Sequence, residues 1–432
     1  MAMRSCLRRG ERMRPRRILF PRRARWLALS LSLVVTLAAL DAVRGSPAAA
    51  KVLYIGVSLP LTGADAQGAE LINNGVVLAS EEANAKGGVA GYRIELVLLD
   101  DATAAAGQYD PAQAAANARK LVANAGVVAV IGPEMNGSGK AMSPILSEAD
   151  LATITPSSTN PDITDPRFAA RYRPRGKAVY FRMCTTDAFQ GPAMANYFAG
   201  KLKVRAVYVV DDSGPFGRRV ADTFQKRAGE MGIKVLGRDR LDPKERDYTT
   251  VLMKVKGLSP DALYYGGLAQ AATKLVKQAY DVSPKMIKAG SDGMIDGDVL
   301  QGAGFPAAEG WYVSTAAPHI TEDPEAQSVV KRYITRFRKQ PSDYAIAAYD
   351  AALVIFDAVE RVAKSGKPVD RHTVRDAIQA TRLKTVQGTV QFDENGDLVT
   401  KTVAIFRITH DMKYPVVDVL HQYKYIGIAP EH

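Results

Sequence analysis

The sequence predicts an α/β protein of two lobes, each built on a doubly wound, mainly parallel sheet. Three observations carry that prediction. Short apolar runs of β-forming residues alternate with segments whose apolar residues recur at helical spacing. The alternation breaks at an Arg/Pro-rich stretch, residues 165–177, read as a surface insertion, and then restarts. The strands end in loops rich in Gly, Pro, Ser, Asn and Asp, and in open α/β sheets ligands bind outside those carboxyl ends.

In order, a strand over Val52–Ser58 leads through a loop to a helix presenting Ile72, Val76, Ala79 and Ala83, which stops at Gly87-Gly88. A strand over Arg93–Leu99 follows, then a helix opened by the N-cap pair Asp110-Pro111 and burying Ala114, Ala118, Leu121 and Val122. Next comes the strand Val127–Ile131, with a loop from Glu134 to Gly139 and a helical segment carrying Met142, Ile145, Leu146 and Ala149. The strand Ala152–Ile154 ends in Thr155-Pro156-Ser157-Ser158-Thr159-Asn160-Pro161. Two neighbouring strand ends offering backbone N–H groups, hydroxyls and an Asn amide make a cradle for an anion such as a carboxylate.

After the break, strands are expected at Val179–Met183, Ala206–Val210, Ile233–Leu236, Ala262–Tyr265 and Met286–Ala289. Helices are expected near Pro192–Leu202, around Val220–Met231 and around Ala272–Ala279. Three further helices, presenting Val329–Phe337, Tyr344–Val362 and Thr373–Thr381, precede strands at Thr389–Phe392 and Thr402–Thr409 around the turn Asp393–Asp397. A tail of this kind completes the two existing lobes rather than adding a third.

At 432 residues and 47% hydrophobic content, the chain can bury two ordinary cores. Its net charge of +12 is concentrated at the start: eleven arginines from Arg4 to Arg44 against Glu11 and Asp41 put +9 in residues 1–50. The remaining +3 makes no case for a nucleic-acid-binding body. An Arg-rich start, an apolar run from Trp26 to Leu40 and the small-residue end Ser46-Pro47-Ala48-Ala49-Ala50 have the layout of a secretory signal peptide cleaved after Ala50. Cleavage leaves Cys184 alone, so no intramolecular disulfide is available.

The five His residues are scattered without metal-ligand spacing, so no metal is expected. Gly139-Lys140 lacks the leading Gly, which is Glu134, and the closing Ser/Thr, which is Ala141, of a phosphate-binding loop. No G-x-G-x-x-G follows the first strand and no nucleophile elbow is present, so neither a dinucleotide cofactor nor catalysis is supported.

With its loops placed, the chain resembles the periplasmic binding proteins of branched-chain amino-acid ABC transporters over nearly all of residues 51–410. The resemblance rests on Pro60-Leu61-Thr62-Gly63, Asn84-Ala85-Lys86-Gly87-Gly88, Val130-Ile131-Gly132-Pro133, Pro156–Pro161, Asp187 with Gln190-Gly191, Tyr265-Gly266-Gly267, Tyr349-Asp350-Ala351 and Phe392–Asp397. It implies the type I clamshell with three hinge crossovers: signal peptide 1–50, first lobe 51–183 and 317–393, second lobe 184–316 and 394–432.

It also implies that Asn136, Ser157 and Thr159 hold a ligand α-carboxylate, that Asp292 takes the α-ammonium, and that Phe216 covers the side chain. The full expected ligand-binding set is Asn136, Gly137, Ser157, Ser158, Thr159, Phe216, Gly267 and Asp292, with Asp187 at a hinge. Phe216 and Leu268 stand where tyrosines are common in such proteins, and the loop Asp65–Gly68 is a residue short, which makes the pocket more apolar. The positions of a disulfide found in some of them fall on Ala102 and Met135. The resemblance implies a non-catalytic, cofactor-free periplasmic monomer that delivers a small amino acid, branched-chain or otherwise apolar, to a membrane permease. An aromatic or aliphatic carboxylic acid as ligand, or a ligand-sensing ectodomain, is the alternative.

Overall fold

The computed structural model describes residues 51–430, so the expected signal peptide lies outside the described residues. β1 (Lys51–Leu59), α1 (Ala66–Ala85), β2 (Tyr92–Asp100), α2 (Pro111–Ala123), β3 (Val127–Ile131), α3 (Asn136–Glu148), β4 (Ala152–Thr155) and β5 (Tyr180–Arg182) come first. Their strands form one parallel sheet in the order β2-β1-β3-β4-β5. Helices cover both faces, which is why β3 is apolar and buried at every residue. Val127 and Val130 pack with Ala114, Ala118, Leu121, Met142 and Leu146, while Ala129 and Ile131 join the core on the opposite face. Asp110 caps α2 as expected, its carboxylate accepting the Ala112 N–H at 2.8 Å.

α4 (Asp187–Tyr197) leads into a second alternation. It comprises β6 (Ala206–Asp211), α5 (Pro215–Glu230), β7 (Lys234–Arg240), α6 (Thr249–Leu258), β8 (Ala262–Gly266), α7 (Ala269–Val282), β9 (Ile287–Gly290), α8 (Gly297–Ala303) and β10 (Tyr312–Thr315). The rest of the chain adds α9 (Gln327–Phe337), α10 (Asp343–Lys364), α11 (Arg371–Gln379), β11 (Arg382–Thr385), β12 (Gly388–Gln391), β13 (Ala404–Ile408) and β14 (Tyr423–Ile428). The second sheet has the order β14-β13-β10-β9-β8-β6-β7, antiparallel only where β13 meets β10 and β14. Its parallel part, β7-β6-β8-β9-β10, repeats the winding of the first sheet.

α10 buries Ala345 through Val362 in the core of the first sheet and lies tightly on α1. A side chain at Gly75 would begin 2.1 Å from the Ala345 carbonyl oxygen, so that crossing requires glycine. The fold is a two-lobed clamshell: the chain leaves the first sheet after β5, returns after β10, and leaves again between β12 and β13.

Three expectations differ from the structure. α4 starts at Asp187, five residues before Pro192, because extended Thr186 begins it and accepts the Gln190 N–H at 3.0 Å. α3 starts at Asn136 rather than after Gly139, since the Gly139 N–H already bonds the Met135 carbonyl at 2.9 Å. The strands either side of Asp393–Asp397 do not pair with each other: β12 pairs with β11, and β13 with β10. The turn between them is instead tied to the first sheet, where Arg182 Nε meets Asp397 Oδ1 at 2.7 Å. The elements α6, α8, β10, β11 and β14 were not read from the sequence.

Candidate functional site

The strand order reverses between β1 and β3 in one sheet and between β6 and β8 in the other, and the loops beyond those points face a shared cavity of about 480 Å³. Five expected residues line it: Asn136, Ser157, Thr159, Phe216 and Asp292. Gly137, Ser158 and Gly267 do not. A side chain at Gly137 would begin 2.7 Å from the Tyr109 ring, and one at Gly267 would run into the Tyr265 hydroxyl, so both glycines allow close packing behind the wall.

The first-sheet end is a closed hydrogen-bond network. Asn136 is 3% exposed, and its Oδ1 accepts from the Thr159 N–H at 2.7 Å, the Asn160 N–H at 3.0 Å and the Ser158 hydroxyl at 3.0 Å. Its Nδ2 donates to Thr159 Oγ1 at 3.3 Å and to Asp187 Oδ2 at 3.1 Å. The amide is fully used, so Asn136 staples two loops together instead of presenting a donor to a ligand. The loop's other N–H groups are also taken, those of Ser157 and Ser158 by Thr155 Oγ1. Below the loop, the wholly buried Arg182 donates to the Ser158 and Asn160 carbonyls, both at 2.5 Å, and fixes their direction. What lines the cavity there is the Ser157 hydroxyl, which donates to the Glu134 carbonyl at 3.3 Å, the Thr159 hydroxyl, which also meets the Asn136 amide, and the start of α3, whose first N–H groups have no helical acceptor.

Gly132 makes this arrangement possible. It has φ +107, and a side chain there would begin 2.4 Å from the Ser58 carbonyl oxygen.

The second-sheet end is simpler. Asp292 follows β9, and its Oδ2 accepts the hydroxyl of Tyr344, which comes from the first turn of α10. Burial pushes the Asp292 carboxyl up from its ordinary pKa, against the lowering effect of that hydrogen bond. Phe216, at the start of α5, is 7% exposed and adds an apolar wall with Leu268 and Ile295. Behind it Asp212 ties the two switch-point loops, accepting the Gly214 N–H at 3.0 Å and the Leu268 N–H at 2.8 Å. Burial raises its pKa to about 6.

Asp187 lies where the lobes meet. Its N–H bonds the Thr159 carbonyl at 2.9 Å, its carbonyl accepts from Thr223 Oγ1 of α5 at 2.7 Å, and its Oδ1 has no partner. Burial pushes its carboxyl up to about 7. The lobes also touch through Gln67, whose Oε1 accepts the Gly297 N–H at 2.7 Å, and through Asp162, which pairs with Lys140 at 2.9 Å and with Arg219.

Sequence reasoning did not assign the cavity residues Glu134, Tyr344 and Gln67 to the site. Glu134 entered only as a misfit in a phosphate-loop pattern, and Tyr344 only as one residue of a helix face. The available signals were an acid beside the Gly132-Pro133 strand end and an aromatic residue just inside a Ser342-capped helix start.

A family model described as periplasmic binding protein matches residues 52–413. A Leu/Ile/Val-binding protein homolog of Brucella abortus is 32% identical over 390 residues, covering 89% of this chain and 98% of the relative. The crystal structure of a leucine binding protein from Thermotoga maritima is 26% identical, covers 88% of this chain and 99% of its own, and superposes with a TM-score of 0.74. A solute binding protein of an ABC transporter from R. palustris, in complex with benzoate, is 21% identical with a TM-score of 0.71 over 88% of this chain and 97% of its own; that likeness shows the fold alone.

Proposed function

Because the chain belongs to the periplasmic binding protein family, we propose that it is the extracytoplasmic solute-binding component of an ABC import system, taking up a small amino acid with a largely apolar side chain and handing it to a membrane permease. The observation that carries this reading is the polarity of the cavity. One end offers hydroxyls and a helix N-terminus, which suit a carboxylate, and the other offers Asp292, which suits an ammonium.

In this reading the α-carboxylate lies against Ser157, Thr159 and the start of α3, where Asn136 contributes its backbone N–H group. The α-ammonium takes the place of the Tyr344 hydroxyl at Asp292 or joins it there. Phe216, Leu268, Leu71 and Ile72 surround the side chain. The lobes, with limits at 51–183 plus 317–393 and at 184–316 plus 394–432, close by rotation about crossovers that include Asp187. Closure is favoured because the ligand touches both lobes and so has higher affinity for the closed state. Nothing in this mechanism calls for a reaction step, a cofactor or an oligomer.

The aromatic-acid reading keeps the carboxylate end and leaves Asp292 without a ligand partner. A thermal-shift screen of the mature chain against amino acids and against aromatic and aliphatic carboxylates separates the two. A ligand at a hundred times its Kd stabilises the fold by about 2.7 kcal/mol. Stabilisation by amino acids supports the proposal; stabilisation by carboxylic acids alone would overturn it.

A further inference from the structure

One acid in the cavity wall has no role in the scheme above. Glu134 sits at the end of β3, half-buried, with its Oε2 enclosed and without a hydrogen-bond partner. Its Oε1 lies 3.0 Å from where a Gly68 side chain would begin, so the carboxyl faces the first turn of α1. From Gly68 the same helix face continues through Leu71 and Ile72, both in the cavity wall.

The charged groups that act most strongly on Glu134 are all acids, and they come from four separate segments: Asp65 before α1, Asp101 after β2, Asp292 after β9 and Asp296 before α8. Asp101 is itself wholly buried, with neither carboxylate oxygen hydrogen-bonded. Of the basic residues in the cavity wall, Lys339 is paired with Glu70 at 2.5 Å and His319 with Asp343 at 3.0 Å, while Arg338 ends α9 on the rim. Among the described residues, Glu134 therefore faces the cavity in a negative field with no cation paired to it.

A purely aliphatic ligand end would seal that carboxyl away from water and leave it unpaired, which is costly. A cationic end would pair with it. A site whose buried polar group must be satisfied discriminates strongly against an analogue lacking the matching group. We propose that Glu134 is a specificity-determining residue that selects amino acids whose apolar stem ends in a cationic N–H group, an ammonium or guanidinium, over those with a plain aliphatic end. The stem lies along Leu71 and Ile72, and the terminal cation meets Glu134. This rests on the amino-acid reading above and changes one part of it: the side chain keeps an apolar stem but ends in a cation.

Burial and the surrounding acids hold the Glu134 carboxyl well above the usual carboxylate range, and a ligand cation beside it would act in the opposite sense. A cationic end favours the ionised carboxylate, so the preference for such ligands grows as pH rises. Calorimetric titration of the mature chain with lysine and with norleucine, which share a four-carbon stem and differ by the terminal ammonium, tests this at pH 6 and pH 8.5. Lysine is expected to bind at least tenfold more tightly at pH 8.5, with a smaller preference at pH 6; the Asp292 contribution is common to both ligands and cancels. Glu134→Leu should abolish the difference or reverse it, and Glu134→Gln should retain only part of it.

Equal or tighter norleucine binding would overturn the inference and leave the amino-acid reading standing, as would a lysine preference that survives Glu134→Leu. Should that variant not fold, Glu134→Gln and the pH dependence of the lysine preference on the unaltered protein decide the matter. Binding of carboxylic acids with no amino acid bound would overturn the functional reading itself.

Discussion

The parallel parts of the two sheets wind identically, yet their carboxyl ends are built on opposite plans. Beyond β3 and β4, Asn136, Thr155, Ser158, Thr159 and Arg182 bond chiefly to one another and to the loop backbone, so the surface facing the cavity is a rigid by-product of a satisfied network. Beyond β6, β8 and β9, the acids Asp292 and Asp296 and the apolar side chains of Phe216, Leu268 and Ile295 line the cavity, and the hydrogen bond of Asp292 comes from Tyr344 in the other lobe. The first end behaves as a fixed platform; the second supplies the group whose partner can be exchanged. That division suits a clamshell in which one lobe holds the ligand first and the other closes over it.

Substitutions at the two ends should therefore fail in different ways. The largest effect is expected for Arg182→Met. It removes the donor to the Ser158 and Asn160 carbonyls and leaves Asp397 with the Thr164 hydroxyl but no cation, costing about 3–5 kcal/mol of stability as read from the denaturant midpoint. A loss below about 1 kcal/mol would mean the platform does not depend on its network.

Asp187 tests the junction between the ends. Its folded pKa of about 7 lies above the ordinary value of 3.8, so the folded state binds the extra proton. The stability this group contributes is thus present at low pH and is lost as pH rises from about 4 through 7. Asp187→Asn should raise stability at pH 8 by about 1–3 kcal/mol and flatten the decline between pH 5 and pH 8. Unchanged pH dependence would show that Asp101, also pushed up to about 7, and Asp212 and Asp296, pushed to about 6, account for it instead.

The smallest change in stability is expected at Asp292, where the effect should appear in binding. Asp292→Ala is predicted to weaken an amino acid by more than tenfold, about 1.4 kcal/mol, and to leave a simple carboxylate almost untouched in parallel calorimetric titrations. Equal losses for both ligands would place Asp292 in the platform rather than on the exchangeable side.

Much of this molecule was legible in the chain itself. The alternation of apolar runs with helical spacing fixed the lobes and their parallel sheets, because burial on both faces leaves a strand such as Val127–Ile131 little choice but to be apolar throughout. Strand ends rich in Gly, Ser and Asn marked where the cavity would lie, and the resemblance carried by those loops pointed to Asp292 and Phe216.

Tertiary structure decided the rest. A side chain's neighbours across the sheet, and not its neighbours in sequence, determine whether it is a ligand donor or a structural staple. Asn136 was readable as a donor, but residues twenty positions away and more exhaust its amide. The turn at Asp393–Asp397 was readable as a hairpin, but Arg182, more than two hundred residues earlier, holds it to the other sheet. Glu134 was visible only as an odd residue in a loop. That it stands unpaired among acids contributed by four separate segments is a fact of packing, and packing is where its function is to be sought.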